Sequence, residues 1–154
     1  MIRYVWLFTL MVTLVFLQSG VLADQKVPPK GFRNYNWGAT PLIDLKKFSG
    51  PTDGVMMFAP AGSKKPVPLF ELPVAEEAYY FAYGKFYRGE AWLNGKENFD
   101  KMTAALTKQY GPPSVSLPAV SLWKWKWQNS PVEIHLHYQE KFARTTVTFV
   151  NNKY

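Results

Sequence analysis

Apolar and polar residues alternate along three runs in the carboxy-terminal third of the chain, at residues 121–128, 132–139 and 144–151. A period of two sends successive side chains to opposite faces of a sheet, so each run predicts a half-buried strand. Turn residues separate the runs at 129–131 and 140–143. The pattern therefore predicts three antiparallel strands with one buried face and one solvated face.

Two aromatic-rich runs, at residues 77–83 and 86–93, flank Gly84 and one lysine. Glycine adopts the positive φ of a tight hairpin turn without steric cost, so this arrangement predicts a β-hairpin. Shorter runs at 31–37 and 54–59 predict two further strands.

A longer period, of three to four residues, marks residues 96–110. Apolar side chains recur there at i, i+3, i+7 and i+11, which is the spacing of one helix face. The residues that share this face are Phe99, Met102, Leu106 and Tyr110. Asn94 or Asn98 can cap the start, and Gly111 followed by two prolines ends the pattern. We therefore predict one long helix.

A second, shorter helix is predicted at residues 41–48. Thr40 is a typical N-cap, and Pro41 suits the first helical position because an N–H there would have no partner. The apolar residues with helical spacing are Leu42, Ile43, Leu45 and Phe48. The sequence Ser-Gly-Pro at 49–51 ends this segment.

Together these elements predict a single α+β domain over residues 31–154. We expect a mostly antiparallel sheet of about six strands that carries one long and one short helix on one face. Proline-rich stretches at 60–68 and 112–118 predict loops.

Residues 1–23 have the three-part layout of a secretory signal. Arg3 gives a positive start, residues 5–17 are an uncharged apolar run, and small or aliphatic residues before Asp24 match a cleavage site. An uncleaved membrane anchor is the alternative, but a spanning helix needs about 20 apolar residues and this run is shorter. We therefore expect cleavage, a flexible lead-in at 24–30, and a periplasmic or secreted domain that does not span a membrane.

The chain contains no cysteine. It therefore has no disulfide, no thiolate metal site, no cysteine nucleophile and no cysteine for lipid attachment, which suits a bacterial periplasm better than eukaryotic secretion. The formal net charge is +7, and removal of Arg3 with the signal leaves +6. This charge favours an anionic envelope component or another envelope protein as partner, and nucleic acid is not expected there. A scattered charge that only keeps the domain soluble is the alternative.

Trp123, Trp125 and Trp127 alternate with Lys124 and Lys126. In a strand, the three indoles share one face and the two ammonium groups share the other. An open indole face would stack on a glycan or lie in a membrane interface. Strict alternation favours the other arrangement, in which the indoles pack beneath the long helix and the lysines face solvent.

His135 and His137 are the only histidines, and they share a strand face with Glu133. Two imidazoles at this spacing can bind zinc or copper, or one can act as a general base in a small hydrolase. A zinc enzyme needs a third protein ligand, and Glu133 is the only local candidate. We therefore expect a solvated strand face without metal or cofactor, and keep the hydrolase or metal-dependent enzyme as an alternative.

The polar faces of the last strands also suggest a binding surface. The residues assigned to it are Lys124, Lys126, His135, His137 and Arg144. They predict a basic, weakly pH-sensitive face for an anionic partner, with Glu133 as an internal counter-charge. The chain has no nucleophile-elbow, phosphate-loop or dinucleotide motif, and no catalytic residue is assigned. The sequence therefore favours a non-enzymatic binding or assembly module.

Several short motifs follow one another in a set order along the chain. The residues that carry them are Trp37-Gly38, Asn98-Phe99, Leu106 and Tyr110-Gly111-Pro112-Pro113. With the aromatic hairpin between them, the chain resembles small exported bacterial α+β proteins of unknown function that have a W-G start, an N-F-x(6)-L helix and a Y-G-x-P stop. The resemblance covers most of residues 31–150 and implies an envelope domain without an assigned activity. It transfers no catalytic residue, and the Trp- and Lys-rich strand at 123–127 departs from the pattern.

Overall fold

The computed structural model describes residues 26–42, 44–48, 53–62 and 66–154. The strands are β1 (Gly31–Phe32), β2 (Tyr35–Asn36), β3 (Leu45–Lys47), β4 (Val55–Pro60), β5 (Glu76–Ala82), β6 (Lys85–Asn94), β7 (Val115–Leu117), β8 (Leu122–Lys126), β9 (Val132–Gln139) and β10 (Arg144–Asn151). The α-helix of the described residues, α1, spans Lys96–Tyr110. The signal predicted at 1–23 lies outside the described residues. None of the helices that the structure describes is long and apolar enough to cross a membrane.

Eight strands form one antiparallel sheet in the spatial order β3-β4-β5-β6-β10-β9-β8-β7. Strands β3 to β6 form one meander and β7 to β10 form a second, and α1 connects them. Because the chain crosses through α1 to the far edge of the sheet, β10 returns to pair with β6 in the middle. The α+β class is confirmed. The predicted number of strands was too low, because the sheet has eight and β1 and β2 form a separate two-stranded unit.

The short helix predicted at 41–48 is wrong. Leu45–Lys47 form β3 instead and pair with residues 58–60 of β4 at the edge of the sheet. A helix of about eight residues is marginal on its own, so pairing that satisfies the backbone of a neighbouring strand outweighs the local helical spacing. The other edge strand, β7, lies in the predicted loop at 112–118, where three residues are too few to show a period.

Helix α1 has the predicted bounds and buries the predicted face. The buried side chains are Phe99, Met102 and Leu106. The start differs from the expectation, because Gly95 occupies the N-cap position and no side chain caps the helix. Asn98 instead donates its amide to the Asn94 carbonyl oxygen at 2.7 Å. Gly111, with a φ of 84°, ends the helix as expected.

The unit formed by β1 and β2 packs on the same sheet face as α1. The Phe32 ring lies 5.3 Å from that of Phe149 and 5.6 Å from that of Tyr79. The close approach needs glycine at position 89, since a Cβ there would lie 2.7 Å from Phe32 Cβ and closer still to its ring. We call this covered side of the sheet the inner face.

The described part of the predicted lead-in, residues 26–30, is hydrogen-bonded to the domain. Trp37 Nε1 donates to the Pro29 carbonyl at 2.8 Å, and Lys26 Nζ donates to the Lys108 carbonyl at 2.7 Å. The Trp127 indole also donates to the Lys26 carbonyl. These bonds hold the segment along the end of α1 and beside the β1–β2 unit.

Candidate functional site

The sheet side opposite α1, here called the outer face, carries most of the polar strand residues. Strand pairing sets its rows. In one row, Lys124 of β8 lies across from His135 of β9, His135 across from Thr148 of β10, and Thr148 across from Glu90 of β6. In the next row, Lys126 lies across from Glu133.

All five residues of the predicted basic surface belong to this outer face, and we call them the basic patch. They are Lys124, Lys126, His135, His137 and Arg144. Lys124 and His135 are cross-strand neighbours, His137 lies across from Leu122, and Arg144 pairs with Gln139 at the end of β9. Arg144 is thus separated from the lysines along the strand direction, and the patch has two parts.

Glu133 neutralises part of the basic patch. Its Oε1 lies 3.0 Å from Lys126 Nζ, and its Oε2 lies 2.7 Å from His135 Nε2. Partial burial raises the pKa of Glu133, but the hydrogen bonds from His135 and Lys126 outweigh it and hold that pKa below its ordinary value. The predicted counter-charge is therefore in contact with two of the five patch residues.

Lys124 and His137 differ from these engaged residues. Neither side chain makes a hydrogen bond or an ion pair with another part of the chain that the structure describes. Both are half-exposed on the outer face. Their donor groups are accordingly available to a ligand.

Arg144 is held over aromatic rings. Its guanidinium carbon lies 5.5 Å from the centre of the Trp92 ring and 5.6 Å from that of Phe142. Its Nη2 donates to Gln139 Oε1 at 3.2 Å. Stacking of this kind fixes the planar guanidinium while leaving its charge in place, which suits recognition of a carboxylate.

Sequence reasoning missed a carboxylate network next to the patch. Glu90 is only 5% exposed, although it lies on the outer face. Tyr80 OH donates to it at 3.0 Å, Thr148 Oγ1 at 2.9 Å and Arg88 Nε at 3.1 Å. Burial and the adjacent Glu90 carboxylate raise the pKa of Tyr80 to about 12. The sequence of the hairpin did contain a sign of this network. Arg88 and Glu90 are two residues apart among aromatic residues, so they lie on the same face of their strand.

The tryptophans of β8 and its end lie on the inner face, as strict alternation predicted. Trp125 is fully buried and donates its indole N–H to the Gly111 carbonyl at 2.8 Å. The Trp123 ring packs edge-on against Phe99 of α1 at 4.9 Å, and Trp127 packs against Tyr110 at 5.7 Å. The indoles therefore do not form the open stacking surface on which the glycan hypothesis depends.

The imidazoles give no ready-made metal centre within the described ranges. No group of three or more His, Asp or Glu side chains there is placed to hold a metal ion. His135 is instead bonded to Glu133, and His137 points into the row of Thr146 and Trp92.

No protein-family model, curated protein or solved structure matches this chain. The resemblance to small exported bacterial proteins stays a prediction. A proposal for the function therefore rests on the chemistry of the outer face.

Proposed function

We propose that this protein is an exported, non-enzymatic binding domain of a bacterial envelope, and that its basic patch binds an acidic segment of a partner protein. The observation that carries the proposal is the shared position of the patch residues on one sheet face, with Lys124 and His137 unengaged by other described side chains. Such a face attracts carboxylates and sets their register at the same time.

The mixture of charges favours a protein segment over an anionic lipid surface. Glu133 and Glu90 stand among the cations, so the positions on this face that favour a carboxylate are discrete and do not form a continuous positive surface. Surface binding to lipid also relies on exposed apolar anchors. The strongly exposed apolar side chains of the described residues that border the patch are Leu117 of β7 and Phe142, and none lies on β8 or β9 itself. A discrete partner with its own charge pattern fits this face better.

Binding to immobilised poly-glutamate tests the proposal on the domain that begins at Asp24. Substituting Lys124→Glu and His137→Glu together removes the two free donors without breaking a described side-chain bond. We expect the affinity to fall roughly tenfold, and its dependence on salt to weaken.

A matched variant on the opposite side separates site from net charge. Lys96→Glu with Gln109→Glu makes the same formal change on exposed positions of α1. The proposal requires this variant to bind as the native protein does. An equal loss in both variants would show a net-charge effect only. Tighter binding to phosphatidylglycerol vesicles than to poly-glutamate would contradict a protein segment as the partner and favour a lipid surface.

Export is tested by the mass of the protein recovered from a bacterial envelope fraction. Cleavage at the predicted site gives a chain that begins at Asp24. A full-length chain in the membrane fraction would contradict cleavage and favour the anchor.

A further inference from the structure

The outer face has a second feature, a groove at the end formed by β4, β5 and β6. Its volume is about 360 Å³, which lies within the range of sites for small molecules. The outer-face side chains that line it are Met57, Ala59, Glu76, Ala78 and Trp92. The other apolar residues of the lining are Phe48, Phe58, Pro60, Pro66 and Ala75. The groove is mostly apolar and carries one outer-face charge.

That charge, on Glu76, has no side-chain partner among the residues that the structure describes. Glu76 lies directly across from Trp92 in the pairing of β5 with β6, and its carboxylate makes no hydrogen bond or ion pair with any side chain in the described ranges. The neighbouring Glu77 carboxylate is turned to the inner face, where it pairs with Arg33. As far as the described residues go, the groove therefore holds an unpaired negative charge in a chain whose net charge is positive.

Trp92 supplies an aromatic surface that already binds a cation. The Arg144 guanidinium stacks on this indole, 5.5 Å from the ring centre. The ring is half-buried and also borders the groove. Phe48, which is 73% exposed, adds a second ring to the lining. Aromatic faces beside a carboxylate are a favourable setting for an ammonium group.

We infer that this groove binds an organic cation with an apolar body, such as an alkylammonium group. Its charge would lie between the Glu76 carboxylate and the Phe48 ring, away from the Arg144 guanidinium that stands over Trp92, and its alkyl part would cover Met57, Ala59 and Ala78. A neutral apolar ligand would displace water from the Glu76 carboxylate without offering it a new polar or charged partner. An anion would be repelled by the same carboxylate. The outer face thus offers a cation groove beside the basic patch.

Calorimetric titration with three probes of similar shape tests the charge preference. The probes are hexyltrimethylammonium, hexan-1-ol and hexanoate. We expect the cation to bind most tightly, and Glu76→Gln to weaken its binding roughly three- to tenfold while leaving hexan-1-ol unchanged. Trp92→Leu is expected to weaken the binding of the cation and of hexan-1-ol alike, because it removes apolar surface that both alkyl chains would contact.

Asp100→Asn is the matched control, since it removes one exposed carboxylate from α1 on the other side of the sheet. Thermal melting of each variant establishes that the fold is retained. Equal affinity for the cation and hexan-1-ol overturns the proposal, and so does an equal effect of Glu76→Gln and Asp100→Asn. A blocked Ala-Lys-Ala peptide distinguishes the source: tighter binding than the free cation identifies a lysine side chain of a partner.

Discussion

Glu133 shows how one residue changes the character of the basic patch. From sequence it was expected as a counter-charge, because it shares a strand face with both histidines. Its actual partners depend on the register of β8 with β9, which sets Lys126 across from it. Register depends on the pairing of two separate segments, so the sequence of either strand alone does not determine it. The patch composition was therefore predictable, and the division into engaged and free cations was not.

The lowered pKa of Glu133 makes its contribution to stability depend on pH. A carboxylate whose pKa is lower in the folded state stabilises above its unfolded pKa, and this contribution is lost as the pH falls through the folded value. We expect Glu133→Gln to lower the free energy of unfolding by about 0.5–1 kcal/mol at neutral pH. The difference from the native protein should shrink as the pH falls below the ordinary value of 4.5.

Urea denaturation at neutral and acidic pH measures this difference. Glu140→Gln, at an exposed position in the turn before β10, is the control and should show little change at either pH. A gap between the native protein and Glu133→Gln that stays constant or widens in acid would contradict the assigned ion pairs.

Elements with a long, regular pattern were predictable, whereas short edge elements were not. The bounds of α1 follow from four apolar residues at helical spacing and from Gly111, which together outweigh local alternatives. The hairpin of β5 and β6 follows from aromatic strands around a glycine. At the two edges, β3 and β7 have three residues each, and their partners decide their structure. Local periodicity contains too little information for such segments.

The hairpin turn itself lies one residue earlier than predicted, at Tyr83 and Gly84. Tyr83 has a φ of 48° and Gly84 a φ of 75°. Positive φ at both positions favours Asn-Gly, and tyrosine is strained there. Tyr83 is 85% exposed and its ring lies against Gly54, so the packing that a change would remove is small. We expect Tyr83→Asn to raise the free energy of unfolding by about 0.5–1 kcal/mol.

Thermal and urea denaturation of Tyr83→Asn measure this gain. Tyr83→Phe is the matched control, because phenylalanine is as strained as tyrosine at a positive φ. The control should melt with the native protein. A loss of stability in Tyr83→Asn would instead show that the contacts of the Tyr83 ring stabilise the protein by more than the strained turn destabilises it.

In the whole molecule, the two sides of the sheet differ in what covers them. The inner face is covered by α1 over the second meander and by the β1–β2 unit over the centre. The outer face presents the basic patch and, beside it, the Glu76 groove, and the two meet where Arg144 stands over Trp92. The β1–β2 unit is attached to the sheet through Arg33, whose guanidinium pairs with the buried Glu77 carboxylate and donates to the Pro68 carbonyl at 2.9 Å.

Glu77 is only 5% exposed at its side chain, and Tyr79 OH donates to its second oxygen at 2.8 Å. Burial and this carboxylate raise the pKa of Tyr79, so the hydroxyl remains a donor. Removing one member of such a pair leaves a buried charge without compensation. We therefore expect Arg33→Met or Glu77→Gln alone to lower the free energy of unfolding by about 3–5 kcal/mol.

The double variant, Arg33→Met with Glu77→Gln, removes both charges and keeps an acceptor for Tyr79. We expect its loss of stability to be clearly smaller than the sum of the two single losses, because most of each single loss is the penalty for the charge left behind. Urea denaturation of the four proteins measures the coupling, with equal slopes as evidence that unfolding stays cooperative. Additive losses would mean that Arg33 and Glu77 stabilise the protein independently of each other, which would contradict the assigned buried ion pair.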